Sequence, residues 1–130
     1  MKQHTKTSES AIHAQICAYI KLQFPNVIFT SEASGIRLTI GQAKKMKGLR
    51  SGSGLPDLWI AEPRGGYHGL FIELKAEGVT KKDGTYKTPH VAEQAEVLTR
   101  LNEKGYFTSF AVGFDHAKVL IETYMRFDRL

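Results

Sequence analysis

Two short apolar runs separated by a glycine-rich turn constrain the fold of this chain most strongly. The runs are DLWIA (57–61) and GLFIELK (69–75), and the segment between them, EPRGGYH, contains two adjacent glycines. Apolar runs of this length bounded by turn residues are typical of strands, and the short connection predicts a hairpin. Each run also carries charge, because Asp57 opens the first and Glu73 and Lys75 close the second.

Side-chain alternation places these charges on one face of the predicted hairpin. Glu73 and Lys75 are two positions apart on one strand, so they share a face. In a hairpin Asp57 can converge with Glu73 near one end of the sheet. Two convergent carboxylates suit a hard divalent cation, and a lysine beside them can hold or polarise an attacking water. The pattern therefore predicts a site that hydrolyses phosphodiesters.

A purely structural explanation of the same charges also exists. Glu73 and Lys75 could form a surface ion pair on an edge strand, while Asp57 caps a turn. The tripeptide E-x-K is common, and alone it favours that explanation. Pro56-Asp57 combined with E-x-K, at the ends of two consecutive strands, favours the functional one.

The segments around the hairpin predict an α/β fold with a mixed sheet, in the order α, β, α, β, β, α, β, α. No repeat or linker interrupts them, so residues 1–130 are expected to form a single domain, with residues 1–7 flexible. The predicted elements are a helix over 8–24 begun by Ser8, a strand over 26–32, a short basic helix over 39–48, the hairpin strands, a helix begun by Thr88 and Pro89 and ended by Gly105, a strand over 106–114, and a last helix capped by Asp115.

Composition restricts the class of protein further. The 130 residues are 42% hydrophobic and 24% charged, which is typical of a globular domain. No apolar run approaches membrane-spanning length, the N-terminus lacks the apolar core of a signal peptide, and Cys17 is a single cysteine without a partner. We therefore expect a cytoplasmic protein that does not associate with a membrane.

Positive charge is concentrated on both sides of the hairpin. The net charge is +5, and the clusters KKMKGLR (44–50) and KKDGTYK (81–87) flank the charged strands. Such clusters can bind a polyanion such as nucleic acid, or they can be solvated loops, and charge alone leaves both possibilities open. The residues concerned are Lys44, Lys45, Lys47, Arg50, Lys81, Lys82 and Lys87.

Two polar residues share the apolar face of the first helix. Glu9 lies on the same helical face as Ile12 and Ile16, where it could answer the helix dipole or point into a site. His13 could be a metal ligand, but a partly buried, hydrogen-bonded histidine is the favoured interpretation.

At these residues the sequence resembles the PD-(D/E)XK nuclease superfamily, and it is most similar to the virus-type replication-repair nuclease (VRR-NUC) branch. The resemblance runs from about Glu9 to about Tyr124 and implies a restriction-endonuclease-like mixed sheet flanked by helices. The elements that carry it are Glu9 in the first helix, Gly54-Leu55-Pro56-Asp57, the glycine-rich turn, Glu73-Leu74-Lys75, and Gln94 in a later helix.

The resemblance also implies roles for individual residues. Asp57 and Glu73 would bind Mg²⁺ or Mn²⁺, with the Leu74 carbonyl as a further ligand and Lys75 as the catalytic lysine. Glu9 would complete the acidic cluster. Gln94 would contact the site from its helix, although an ordinary solvated glutamine explains that residue equally well.

The implied activity is metal-dependent cleavage of DNA. Short stand-alone members of this branch resemble phage proteins, act as homodimers and cut branched DNA such as four-way (Holliday) junctions, which places them in a bacterial or phage-infected cell. The alternative is a non-catalytic nucleic-acid-binding module with a degenerate nuclease fold. The intact Asp57, Glu73 and Lys75 argue against it, because a phosphate-binding surface would not centre on two carboxylates without a cation.

Overall fold

A computed structural model of the protein describes residues 8–32, 38–52 and 54–129. The predicted flexibility of residues 1–7 concerns a segment outside these ranges. Within them the chain forms four helices and four strands in the predicted order. The elements are α1 (Glu9–Gln23), β1 (Phe29–Ser31), α2 (Ile40–Gly48), β2 (Leu58–Ile60), β3 (Leu70–Lys75), α3 (Pro89–Glu103), β4 (Phe107–Val112) and α4 (Gly113–Met125).

The strands form a mixed sheet in the order β1-β2-β3-β4. β1 pairs with β2 and β2 pairs with β3 in antiparallel fashion, whereas β3 and β4 are parallel. The predicted hairpin is confirmed, with Leu58 opposite Ile72 and Trp59 opposite Phe71. The α/β fold class with a mixed sheet is therefore also confirmed.

The hydrophobic core lies between the sheet and the helices α1 and α4. Alternate residues of β2 and β3 point toward these helices, while the other face of β3 and β4 carries α3, where the Thr108 hydroxyl donates to the Leu98 carbonyl at 2.9 Å. The two faces of the sheet thus have different neighbours, α1 and α4 on one side and α3 on the other. The fully buried side chains of the core include Ile12, Ile16, Ile20, Leu58, Ile60, Leu70, Ile72, Leu74, Ile121 and Tyr124.

Side-chain caps begin three of the helices, and the sequence predicts two of them, Ser8 and Thr88. Ser8 accepts from the Ala11 amide, and Thr88 accepts from the Val91 amide with Pro89 at the first position. Thr39 and Gln42 form a reciprocal capping box at the start of α2.

The predicted cap of the last helix is wrong. α4 begins at Gly113, so Asp115 lies inside the first turn instead of before it. The reason is that Gly113, with φ of +84°, lets the chain pass from β4 into α4 without a loop. The Val112 amide that precedes the helix donates instead to Nδ1 of His116 at 2.9 Å.

Within the described ranges, no helix combines the length and the hydropathy needed to cross a membrane.

The core assignment predicts a contrast between two substitutions in α1. Ile16 is fully buried and Leu22 is 77% exposed. Ile16→Ala should lower the free energy of unfolding by about 2–5 kcal/mol, because it removes buried apolar surface and leaves a cavity. Leu22→Ala, the control in the same helix, should change it by less than about 0.5 kcal/mol. Urea denaturation of both variants measures the difference, and equal costs would show that this face of α1 does not pack into the core.

Candidate active site

A cleft of about 290 Å³ opens at the end of the sheet where β2 begins and β3 ends. The carboxylates of Glu32, Asp57 and Glu73 face it, together with Gln94 from α3 and the guanidinium of Arg50. The other lining residues are Leu38, Met46, Gly54, Leu55, His90 and Val97. The structure thus brings the predicted Asp57, Glu73 and Gln94 into one cavity.

The antiparallel register of β2 and β3 produces the central contact of the cleft. Because Leu58 lies opposite Ile72, the residue that precedes β2, Asp57, lies opposite Glu73 on the same face. The two side chains share a hydrogen bond. The Leu74 amide donates to Asp57 Oδ2 at 3.0 Å, so the backbone of β3 also holds the aspartate in place.

Glu73 is the most deeply buried acid of the cleft, with 5% of its surface exposed. Gln94 Nε2 donates to Glu73 Oε1 at 3.0 Å, so the predicted contact between α3 and the site is present in the structure. The side chain of Gln94 therefore bridges the helix and the acidic strand, and it is not a freely solvated glutamine.

Burial raises the pKa of Glu73 to about 9, and the hydrogen bond and negative charge of Asp57 act in the same direction. The pKa of Asp57 is lowered: burial alone would raise it, but His13 and Glu73 favour its ionised form more strongly. The opposite directions of these two pKa shifts favour a pair that shares one proton at neutral pH. A cation bound between the two carboxylates would reduce their mutual repulsion in place of that proton.

Lys75 and Glu9 act on Glu73 through their charges. Lys75 ends β3 on the same face as Glu73, and its ammonium opposes the rise of the Glu73 pKa. Glu9, half-buried in the first turn of α1, adds to that rise. Leu74 lies between Glu73 and Lys75 in β3, and the role of its carbonyl as a ligand stays a prediction.

The donor set of the cleft fits Mg²⁺ or Mn²⁺. Within the described part of the chain, His, Cys, Asp and Glu side chains do not form a group of three at metal-binding distances. A structural zinc site needs about four such ligands, whereas Mg²⁺ is held by one or two carboxylates and takes waters and phosphate oxygens besides. Asp57 and Glu73 supply that smaller set.

Three residues near Asp57 were not assigned to the site from the sequence: His13, Ser31 and Glu32. His13 is buried and hydrogen-bonded, as the sequence favours, with Nδ1 2.7 Å from Ser31 Oγ, but its Nε2 also lies 3.6 Å from Asp57 Oδ2. The Glu32 amide donates to the Asp57 carbonyl at 2.7 Å, and its carboxylate pairs with Arg50 at 2.9 Å. The sequence signal for Ser31 and Glu32 was limited to their place at the end of a predicted strand.

The two basic clusters lie in exposed parts of the structure. α2 has no buried residue, and its three lysines are exposed to solvent. Arg50, just beyond α2, is the member of these clusters that lines the cleft. Lys81, Lys82 and Lys87 are exposed in the connection from β3 to α3, where Thr80 and Tyr86 form an antiparallel bridge.

Comparison with known proteins agrees with this geometry. Among solved structures, a "VRR_NUC domain protein" is 28% identical in sequence and superposes with a TM-score of 0.66, covering 98% of this chain and 93% of its own. A scan of protein-family models and a search of curated proteins gave no match. The similarity spans nearly the whole of both chains and agrees with the resemblance of the sequence to the VRR-NUC branch. The chain therefore has the VRR-NUC fold.

Proposed function

We propose that the protein is a metal-dependent DNA endonuclease. The observation that supports this most strongly is the buried pair of Asp57 and Glu73, which converge from adjacent strands of a VRR-NUC fold. Without a cation the pair avoids repulsion only by holding a proton, because two charged carboxylates in contact would repel each other in a low dielectric. A site that receives a divalent cation explains their placement.

Asp57 and Glu73, which line the cleft, and Leu74 and Lys75, which follow Glu73 in β3, have the main roles in this proposal. Asp57 and Glu73 bind Mg²⁺ or Mn²⁺, with the Leu74 carbonyl as a further ligand. When bound, the cation would acidify a water and offset the negative charge that develops on the phosphate. Lys75, beside the carboxylates, would hold or polarise the attacking water.

The remaining polar residues orient the two carboxylates or add charge beside them. The Leu74 amide orients Asp57, and Gln94 orients Glu73 through its 3.0 Å hydrogen bond. Glu9 adds negative charge to the cluster and so favours binding of a cation over an uncharged occupant. Arg50 lines the same cleft, where it can contact a phosphate of the bound strand.

Substitution of the carboxylates should abolish cleavage without unfolding the protein. Asp57→Asn and Glu73→Gln keep the shape of the side chain but remove a charged ligand, so each should lower the rate by more than about 100-fold, beyond the loss typical of a supporting residue. Lys75→Ala should lower it by about 100–1000-fold and still bind Mn²⁺. Labelled linear and four-way-junction DNA, incubated with Mg²⁺, Mn²⁺ or EDTA, provides the assay.

The matched control is Glu103→Gln, which removes an exposed carboxylate at the end of α3 and should cut DNA at the unaltered rate. Full cleavage in EDTA, or by the Asp57→Asn protein, contradicts metal-dependent catalysis at this site. Binding of DNA without cleavage under every metal condition would support the alternative, a non-catalytic nucleic-acid-binding module.

We further propose that the protein binds branched DNA as a homodimer. Two carboxylates repel a phosphate backbone, so the energy of binding has to come from cations near the cleft. Arg50 lines the cleft, and the exposed lysines lie in α2, whose Met46 also lines it. Contacts to phosphates position DNA without reading its sequence, which favours recognition of DNA structure. Two active sites related by a two-fold axis could cut opposed strands of one four-way junction.

The lysines of α2 should contribute to binding through counterion release. The triple substitution of Lys44, Lys45 and Lys47 by Gln should weaken binding to all sequences alike and reduce the slope of log K against log salt by roughly 0.9 for each lost contact. Fluorescence anisotropy at several salt concentrations measures this slope. The control is Lys21→Gln with Lys104→Gln, at the far ends of α1 and α3, which should leave the slope unchanged.

Sedimentation velocity tests the dimer in the same preparations. A monomer that cuts linear duplex as readily as a four-way junction would contradict junction selectivity and the dimer, while the proposal of an endonuclease would stand.

A further inference from the structure

Three polar side chains from separate elements form a continuous series behind the carboxylate pair. Ser31 ends β1, His13 lies in the second turn of α1, and Asp57 precedes β2. Ser31 Oγ lies 2.7 Å from His13 Nδ1, and His13 Nε2 lies 3.6 Å from Asp57 Oδ2. The series therefore connects α1 and β1 to Asp57, which is a metal ligand in the proposed function.

His13 is buried, and one of its two ring nitrogens has no hydrogen-bond partner in the described part of the structure. The residue is 6% exposed, and the nitrogen concerned is Nε2, which is itself a buried atom. Buried polar atoms in folded proteins are nearly always paired, and those that are not usually have a functional explanation. The anionic group that faces this nitrogen is the Asp57 carboxylate, 3.6 Å away, slightly beyond hydrogen-bond length.

The tautomer of His13 follows from the groups on its two nitrogens. A neutral imidazole has one N–H donor and one lone-pair acceptor. A lone pair on Nε2 would face a carboxylate and repel it, so the favourable arrangement puts the hydrogen on Nε2. Nδ1 is then the acceptor, and the Ser31 hydroxyl donates to it. Ser31 thereby selects the tautomer that presents a donor to Asp57, in the way that the partner of one ring nitrogen generally determines the state of the other.

Two donors then converge on one oxygen of Asp57. The Leu74 amide already donates to Oδ2 at 3.0 Å, and in this tautomer the Nε2–H of His13 would lie beside the same atom, with Nε2 3.6 Å away. Two donors on Oδ2 would restrict rotation of the carboxylate and leave Oδ1 as the oxygen available to a cation. Residues that hydrogen-bond to a metal ligand without binding the metal commonly affect metal affinity, because they orient the ligand.

We propose that His13, held by Ser31, is a positioning residue that donates Nε2–H to Asp57 Oδ2 and so orients this carboxylate for the divalent cation. The inference rests on the part of the proposed function in which Asp57 binds a metal. It does not depend on cleavage of DNA. The competing arrangement makes His13 itself a ligand, which would require the other tautomer, with the lone pair on Nε2. The two arrangements predict different spectra and different behaviour on substitution.

The test measures Mn²⁺ binding to the full chain in the absence of DNA, by the loss of the electron paramagnetic resonance signal of free Mn²⁺. His13→Leu removes the donor and should weaken binding by about 10–100-fold. His13→Gln, whose amide Nε2 can donate from a similar position, should recover part of the loss. Ser31→Ala should weaken binding less than His13→Leu does, because the ring remains but its tautomer is no longer selected. Ser31→Thr, which keeps the hydroxyl, should bind Mn²⁺ like the unaltered protein.

A histidine outside the cleft provides the matched control. His116 accepts from the Val112 amide at 2.9 Å and is not among the cleft-lining residues of the described chain. His116→Gln should leave Mn²⁺ affinity unchanged. Thermal unfolding by circular dichroism shows whether each variant folds, and if His13→Leu does not, the comparison of Ser31→Ala with Ser31→Thr decides the question.

Electron spin-echo modulation of the Mn²⁺ complex separates positioning from ligation. A positioning His13 produces no coupling to a directly bound imidazole nitrogen, whereas a ligand produces one that His13→Leu removes. The proposal is overturned by that coupling, by unchanged Mn²⁺ affinity in both His13→Leu and Ser31→Ala, or by a protein that binds no Mn²⁺. If Mn²⁺ binds as expected but DNA is not cut, the endonuclease proposal fails and the role of His13 stands.

Discussion

The contact between the carboxylates of Asp57 and Glu73 is the interaction on which the rest of the site depends. The antiparallel register of β2 and β3 forces these side chains together, and the apolar residues on the opposite face of the same strands pack against α1 and α4. The packing of that core therefore keeps the backbone positions of the two acids opposite each other. Hydrogen bonds from neighbouring groups hold both side chains in place, because Gln94 donates to Glu73 and the Leu74 amide donates to Asp57.

This arrangement couples the stability of the protein to the occupant of the site. The pKa of Glu73 rises from 4.5 to about 9 on folding, mainly because burial disfavours its charged form. Between these values the native state binds a proton that the unfolded state does not, so this group makes the protein less stable as pH rises from about 4.5 toward 9. A divalent cation that replaced the proton would remove this penalty, and the stability of the protein would then depend less on pH.

Local sequence patterns were sufficient for the order of elements, the hairpin and the convergence of Asp57 with Glu73, because each depends on periodicity and a short turn. The contacts of Asp57 with His13 and Glu32 depend on how α1 and β1 pack against β2, and no local pattern encodes that long-range placement. The cap predicted at Asp115 failed because Gly113 joins β4 directly to α4. The chemical roles of the site residues remain predictions.

Calorimetric titration with Mn²⁺ at pH 7, in buffers with different heats of ionisation, tests most directly whether the carboxylate pair binds a cation. Because Glu73 has a pKa of about 9 without metal, binding should release about one proton per ion, and affinity should rise with pH up to that value. The Glu73→Gln protein should release none and bind more weakly. Mn²⁺ affinity that is the same at about pH 6 and about pH 8.5, both below the Glu73 pKa, or that is unchanged by Glu73→Gln, would contradict cation binding by the carboxylate pair.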